Sequence, residues 1–210
     1  MPPDPLIDQQ ALASLRRGDD SALALLISRW EHPLVRFAYR YVQNEVDAND
    51  LVAEAFVRFH QNLDRLRSDT KPGAWLYATL ANLCLNHNRW KRRHPSVSID
   101  AELPRGAAPT TGDGANPALK AQRDETVAAV RDAIAGLPHE LRTAFLLHHY
   151  ERLSYQEIAG IAGCSERGVE SRLYRARQRL RRALASLWNE TPARPPDRQR
   201  DDPGTRVHSE

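Results

Sequence analysis

Residues Leu153 to Leu184 read LSYQEIAGIAGCSERGVESRLYRARQRLRRAL, and the folding of the whole chain can be approached from this stretch. Ser154 and Glu157 form an S-x-x-E capping box, which predicts a helix start. Ile158, Ala159, Ile161 and Ala162 give that helix an apolar face; Gly163 stops it, and Ser165 caps the next one. Val169, Leu173, Ala176, Leu180 and Leu184 then recur at helical spacing. Arg167, Arg172, Arg175, Arg177, Arg179, Arg181 and Arg182 fall largely off that stripe. A short helix, a tight turn and a long arginine-studded helix is the arrangement that lays one helix into a DNA major groove.

Working outward, helical signals continue and strand signals are nearly absent. Leu6, Leu12 and Leu15 mark a first helix over residues 6–17. Asp20 or Ser21 is placed to cap a second, carrying Leu23, Leu26, Ile27 and Trp30 up to Pro33, where a kink or restart is expected before Leu34, Phe37 and Tyr41. Asp47 is placed to cap a third helix with Leu51, Val52, Phe56 and Phe59; Pro72 suits the first turn of a fourth. From Pro95 to Pro117 prolines, glycines and threonines replace the pattern, as in a linker. Periodicity returns at Leu119, breaks at Gly136–Pro138, and ends after Trp188 in a polar, proline-rich tail. The expected fold is all-α: two small helical domains, 1–94 and 119–188, joined by a flexible linker, 95–118, with a disordered tail, 189–210.

The chain has 210 residues and a formal charge of only +3, but its basic residues are concentrated in Arg89–Arg93 and in the arginine-rich helix. Clustered charge attracts phosphate better than the same charge spread evenly. In the second helix of a helix-turn-helix, the early turns touch base edges; here these carry Ser165, Glu166, Arg167, Glu170, Ser171, Tyr174 and Arg175. The later arginines are better placed for phosphate or a protein. The segment AWLYATLANLCLNHNRWKRR, 74–93, combines Trp75, Tyr77 and asparagines with a basic run. It fits capture of single-stranded nucleic acid, and equally a core helix ending in favourable cations. Asp50 and Glu54 lie four apart on one helical side, as on a solvated face or one awaiting a basic partner.

Other chemistry finds little support. His148 and His149 are adjacent, so a helix turns them about 100° apart, away from a shared metal. No Gly-rich phosphate loop or nucleophile elbow is present, so no catalytic residue, metal or cofactor is assigned. Cys84 and Cys164 read as small apolar fillers rather than a disulfide. The chain shows neither a signal peptide nor an apolar run near the ~20 residues a bilayer requires, so no membrane insertion and a cytoplasmic protein are expected.

Four segments, taken in order, resemble the bacterial RNA polymerase sigma factors of the extracytoplasmic-function group: SLRRGDDSALALLISRWEHPLVRFAYRYV (14–42), DANDLVAEAFVRFHQNLDRLR (47–67), PGAWLYATLANLCLNHNRWKRR (72–93) and LPHELRTAFLLHHYERLSYQEIAGIAGCSERGVESRLYRARQRLRRAL (137–184). The resemblance implies a non-enzymatic protein that binds core RNA polymerase and reads promoter DNA, with an anti-sigma factor as a common family partner. By motif match, Asp50 and Glu54 would face the polymerase. Asn82, Asn86, Arg89, Lys91 and Arg92 would lie toward the −10 element. Glu170, Ser171, Tyr174 and Arg175 would lie toward the −35 element, with His148 near its edge. Glu170, Gly168, Asn49 and Arg152 depart from the family pattern, the last standing where glycine is usual. Two other readings stay open: a regulator binding duplex DNA without polymerase, and an adaptor that docks on polymerase without reading a promoter.

Overall fold

A computed structural model describes residues 5–94 and 117–185. Among these every regular element is helical: α1 (Pro5–Leu15), α2 (Ser21–Val42), α3 (Glu45–Gln61), a 3-10 turn (Leu63–Arg65), α4 (Pro72–Arg93), α5 (Pro117–Ala135), α6 (His139–His149), α7 (Tyr155–Ala162) and α8 (Glu166–Ala183). None of the described helices is long and apolar enough to cross a membrane. The linker expected between the domains and the tail after Trp188 lie outside the described residues, apart from the first turn of α5.

In the N-terminal half, α2 packs against α1, α3 and α4, and α3 packs on α4. Pro33 does not restart α2, which continues as one helix through it. A proline inside a helix costs roughly 3 kcal/mol, but Leu26, Trp30, Leu34 and Phe37 are all buried along one stripe of that helix. Each contributes about 1.5–3 kcal/mol on burial, so packing outweighs the lost hydrogen bond. The caps also differ in detail from expectation. Asp20 occupies the N-cap of α2 without a side-chain bond; Asp19 Oδ1 instead accepts from the Ser21 N–H and Oγ–H, at 3.1 and 2.5 Å. Asn44, not Asp47, caps α3, its Oδ1 accepting from the Asp47 N–H at 2.9 Å.

α1 is fastened by an aspartate that periodicity does not single out. Asp8, 3% exposed, accepts from Arg29 Nε at 2.9 Å and from the Trp30 indole N–H at 3.0 Å. The same indole lies over Gly73 at the start of α4, where an added Cβ would come within 2.2 Å of the ring. Pro72 opens that helix as its sequence implies. Tyr77 is buried edge-on to both Trp30 and Phe37, and Trp75 packs edge-on to Phe59. The aromatic residues of α4 that fit either base stacking or core therefore belong to the core.

The C-terminal half is a three-helix cluster of α6, α7 and α8, with α5 against α8. Its local geometry follows the sequence closely. Ser154 and Glu157 close the capping box, Gly163 ends α7 in the left-handed conformation at φ 58°, and Ser165 Oγ accepts from the Gly168 N–H at 3.1 Å. Arg152 also takes a left-handed φ, 59°, a conformation that glycine adopts without strain.

The two halves touch directly. α2 meets α6, and α4 meets α7. Glu151, on the α6–α7 turn, has a side chain only 4% exposed, with Arg36 at 3.6 Å and Arg40 at 3.4 Å, and it accepts from the Tyr77 hydroxyl at 3.2 Å. Arg40 also lies over the Tyr150 ring, 4.4 Å from its centre. Beside this cluster, Tyr41 Oη and His139 Nδ1 are 2.5 Å apart, and the Arg142 guanidinium lies 4.3 Å above the Tyr41 ring. Burial pushes the Tyr41 phenol up to about 12 and draws His139 below its ordinary value.

Two glycine substitutions should act in opposite directions. Gly73→Ala drives a methyl group into the Trp30 ring and should destabilise the chain by about 1–3 kcal/mol. At Gly168 an added Cβ meets Cys164 and Ser165 only at ordinary contact distances of 3.4–3.5 Å, so Gly168→Ala should stabilise by up to about 1 kcal/mol. Denaturant melts of both variants at one temperature check the pair; an equal or reversed ranking contradicts it.

Candidate nucleic-acid interface

The long helix α8 separates two functions by angle. Val169, Leu173, Ala176 and Leu180 are buried and turn toward α6 and α7. At about 100° per residue, Arg167, Ser171, Tyr174 and Arg175 project from the opposite side, with Glu170 at its edge. All five are exposed, and Tyr174 is 62% exposed. Ser165 is exposed as well, although its hydroxyl oxygen is already engaged as the helix cap. Arg175 Nε donates to the Ser171 carbonyl at 3.3 Å. The side chains that can bond base edges therefore share one solvent-facing surface.

Arg172 does not belong to that surface. Its guanidinium lies 3.4 Å from Glu140 and donates to Cys164 Sγ at 3.1 Å, tying α8 to α6 and to the turn. His148 is half-buried, its Nδ1 without a hydrogen-bond partner. Its ring is stacked on that of His149 with centres 4.9 Å apart, and is edge-on to Tyr155. The two rings thus lie closer than the helical angle alone implies, yet no group of three metal-ligating side chains occurs among the described residues.

On α4 the presumed −10 set divides. Asn82, Asn86 and Arg89 are spaced by four and three residues, share one helical face and are exposed. Lys91 falls roughly opposite them; its ammonium is 2.5 Å from Asp47 on α3, and His87 Nε2 is 3.2 Å from the same carboxylate. Arg92 is exposed and forms no ion pair among the described residues. Trp90, 43% exposed and stacked on His94, is the accessible aromatic in this basic run. Its position among the cations was the signal available for it, masked by the more conspicuous Trp75 and Tyr77.

Asp50 and Glu54 both lie exposed on α3. Glu54 is not waiting for a cation: Arg58, four residues on, donates to it at 2.6 and 3.1 Å. Asp50 borders a groove between α2 and α3 lined by Ile27, Val35, Val52 and Phe56. A carboxylate at the rim of an apolar groove suits a helical partner carrying both apolar and basic side chains. A second cleft, between α4 and α8, is lined by Arg89, His139, Tyr174, Arg175, Arg179 and Arg182.

Two family models match the chain: sigma-70 region 2 over residues 26–94 and sigma-70 region 4 over residues 128–180. The sigma-H factor of RNA polymerase from Pseudomonas aeruginosa is 35% identical over 189 residues, covering 87% of this chain and 96% of that protein. The ECF RNA polymerase sigma-E factor of Escherichia coli is 34% identical over 180 residues, covering 83% and 93%. Among solved structures, CnrH in complex with the cytosolic domain of CnrY shares the fold, with a TM-score of 0.64 and 24% identity over 86% of this chain and 98% of that one. The sigma factor RpoE of Bartonella quintana, solved with the anti-sigma factor NepR, gives a TM-score of 0.54 and 23% identity over 77% and 96%. With regions 2 and 4 in order and relatives matched over nearly their full length, the chain belongs to the extracytoplasmic-function sigma factors, non-enzymatic subunits that direct RNA polymerase to promoters by binding −10 and −35 elements.

Proposed function

We propose that this sigma factor divides its work by domain as follows: residues 1–94 dock on core polymerase and read and open the −10 element, 95–118 tether the two halves, 119–188 read the −35 element, and 189–210 form a tail. In the −35 reader, Arg167, Glu170, Ser171, Tyr174 and Arg175 meet base edges, while Ser165 and His148 sit at the groove's margin. The observation that carries this assignment is the angular split of α8, whose exposed Arg167, Ser171, Tyr174 and Arg175 lie opposite its buried stripe, with Glu170 at the edge. Arginine pairs bidentately with guanine and glutamate accepts from cytosine, so Glu170 favours a cytosine where a basic residue would favour guanine.

For the −10 element, Asn82, Asn86 and Arg89 form the contact face and Arg92 supplies phosphate attraction. Lys91 takes part only if Asp47 releases it, so its first role is to brace α4 against α3. Toward polymerase, Asp50 offers its carboxylate beside the α2–α3 groove, whereas Glu54 reaches a partner by giving up Arg58. Polymerase and promoter both place the protein in the cytoplasm. An anti-sigma factor is the further partner we infer, as NepR is for RpoE of Bartonella quintana.

The decisive experiment is transcription by purified protein plus core polymerase on promoter fragments. A promoter-specific transcript is expected; a duplex-binding regulator or a non-reading adaptor gives none. Within that assay, Arg175→Ala should cost about 1–3 kcal/mol and relax preference at one −35 position. Arg181→Ala should instead weaken binding evenly across sequences and lower its salt dependence. Binding titrations over a salt series separate the two, and a uniform loss from Arg175→Ala would remove it from the base-reading set.

A further inference from the structure

A cleft of about 580 Å³ lies between the last turns of α4 and the start of α6. Arg89, Lys91 and Arg92 line it from α4, residues 135–139 from the α5–α6 turn, and Arg142 from α6. No aspartate or glutamate is among the described residues that line it. Lys91 is already paired with Asp47. Arg89 and Arg92 are exposed and form no ion pair among the described residues, so unpaired positive charge faces this space.

Arg142 marks the cleft as more than a basic surface. It is 5% exposed, its guanidinium lies 4.3 Å above the Tyr41 ring, and its Nε has no hydrogen-bond partner. Among the described residues no carboxylate pairs with it. A guanidinium stays protonated in proteins, so burial leaves a charge and unmade hydrogen bonds that cost stability until something meets them. The ring contact offsets only part of that cost.

The start of α6 is a second feature of the same kind. Pro138 occupies its N-cap and supplies no side-chain cap. Glu140, the acid of the first turn, pairs with Arg172 on α8 and does not line the cleft. The leading N–H groups and the positive end of the helix dipole are therefore open to an anion. Phosphate oxygens accept from guanidinium and backbone N–H groups alike, and three guanidinium groups call for more than one negative charge. The volume falls in the range of small-ligand sites.

We propose that this cleft binds a small anion bearing two or more phosphates, such as pyrophosphate or the polyphosphate end of a nucleotide. Arg142 and the N-terminus of α6 hold one phosphate, and Arg89 and Arg92 at the rim hold the next. Arg142 and α6 define the site, so it does not rest on the promoter-reading assignment, with which it shares only Arg89 and Arg92.

The test is calorimetric titration of the full chain with inorganic phosphate, pyrophosphate, tripolyphosphate and ATP. Pyrophosphate should bind one to one, about tenfold tighter than phosphate, as one added charge-assisted contact gives. ATP binding tighter than tripolyphosphate makes the ligand a nucleotide; equal affinity makes it the anion alone, and both support the site. Arg142→Gln should weaken pyrophosphate binding about tenfold or more. Arg65→Ala, an exposed position in the turn after α3, should leave it unchanged. In the wild-type chain, pyrophosphate should move the backbone amide resonances of His139, Glu140 and Leu141 and the Arg142 Nε–H resonance. That readout decides the matter even where Arg142→Gln does not fold. Absence of saturable binding, equal losses from Arg142→Gln and Arg65→Ala, or unmoved resonances at these positions overturn the site. A random-sequence duplex that displaces pyrophosphate and loses the same factor to Arg142→Gln makes the cleft a DNA-backbone contact, and also overturns the proposal.

Discussion

The indole of Trp30 sits where α1, α2 and α4 converge, and three separate requirements meet at that ring. Its N–H must find an acceptor once buried, and Asp8 provides it. Asp8 must in turn be neutralised, and Arg29 does so from the position preceding Trp30 in α2. The ring's face needs a neighbour without a side chain, which Gly73 supplies. An aspartate, an arginine and a glycine far apart in sequence are therefore fixed by one aromatic side chain. Tyr77 and Phe37 pack outward from it, and Tyr77 in turn carries the hydroxyl that reaches Glu151. The seam between the two halves is thus built on the same cluster that closes the first half.

Local chemistry made the helix-turn-helix readable. The capping box, the left-handed Gly163 and the Ser165 cap each depend on residues within three or four positions, so their types and spacing contain the answer. The same holds for the buried stripe of α8 and hence for the exposed face opposite it. Other features depended on partners distant in the chain. Continuity of α2 through Pro33 is set by burial against α1, α3 and α4, which no pattern within the helix states. Lys91 appears in a basic run and reads as a phosphate contact, yet Asp47 holds it from 44 residues away. Arg172 belongs by composition with the arginine face but by geometry with α6. Glu151 carried no motif at all, and its socket is formed by residues more than seventy positions upstream.

The departures from the family pattern acquire different physical meanings. Arg152 keeps a left-handed backbone that glycine adopts without penalty, so the chain maintains the turn's shape while adding a charge beside Glu151. Gly168 leaves room around the start of α8 that nothing in the packing requires. Glu170 sits on the exposed face, where its sign alters what it can recognise and not how the helix packs. A single alignment position can thus report backbone conformation, packing or specificity, and only its surroundings distinguish them.

The separation of surfaces on α8 has an evolutionary consequence. Exposed side chains remote from caps and core contacts usually shift stability by less than about 0.5 kcal/mol when replaced, and Glu170 and Tyr174 occupy such positions. Mutational drift at these sites leaves the fold almost untouched, so selection on them reports regulatory output and little else. Gene duplication followed by a few changes on this face can generate paralogues that address different sets of genes while retaining an unaltered scaffold.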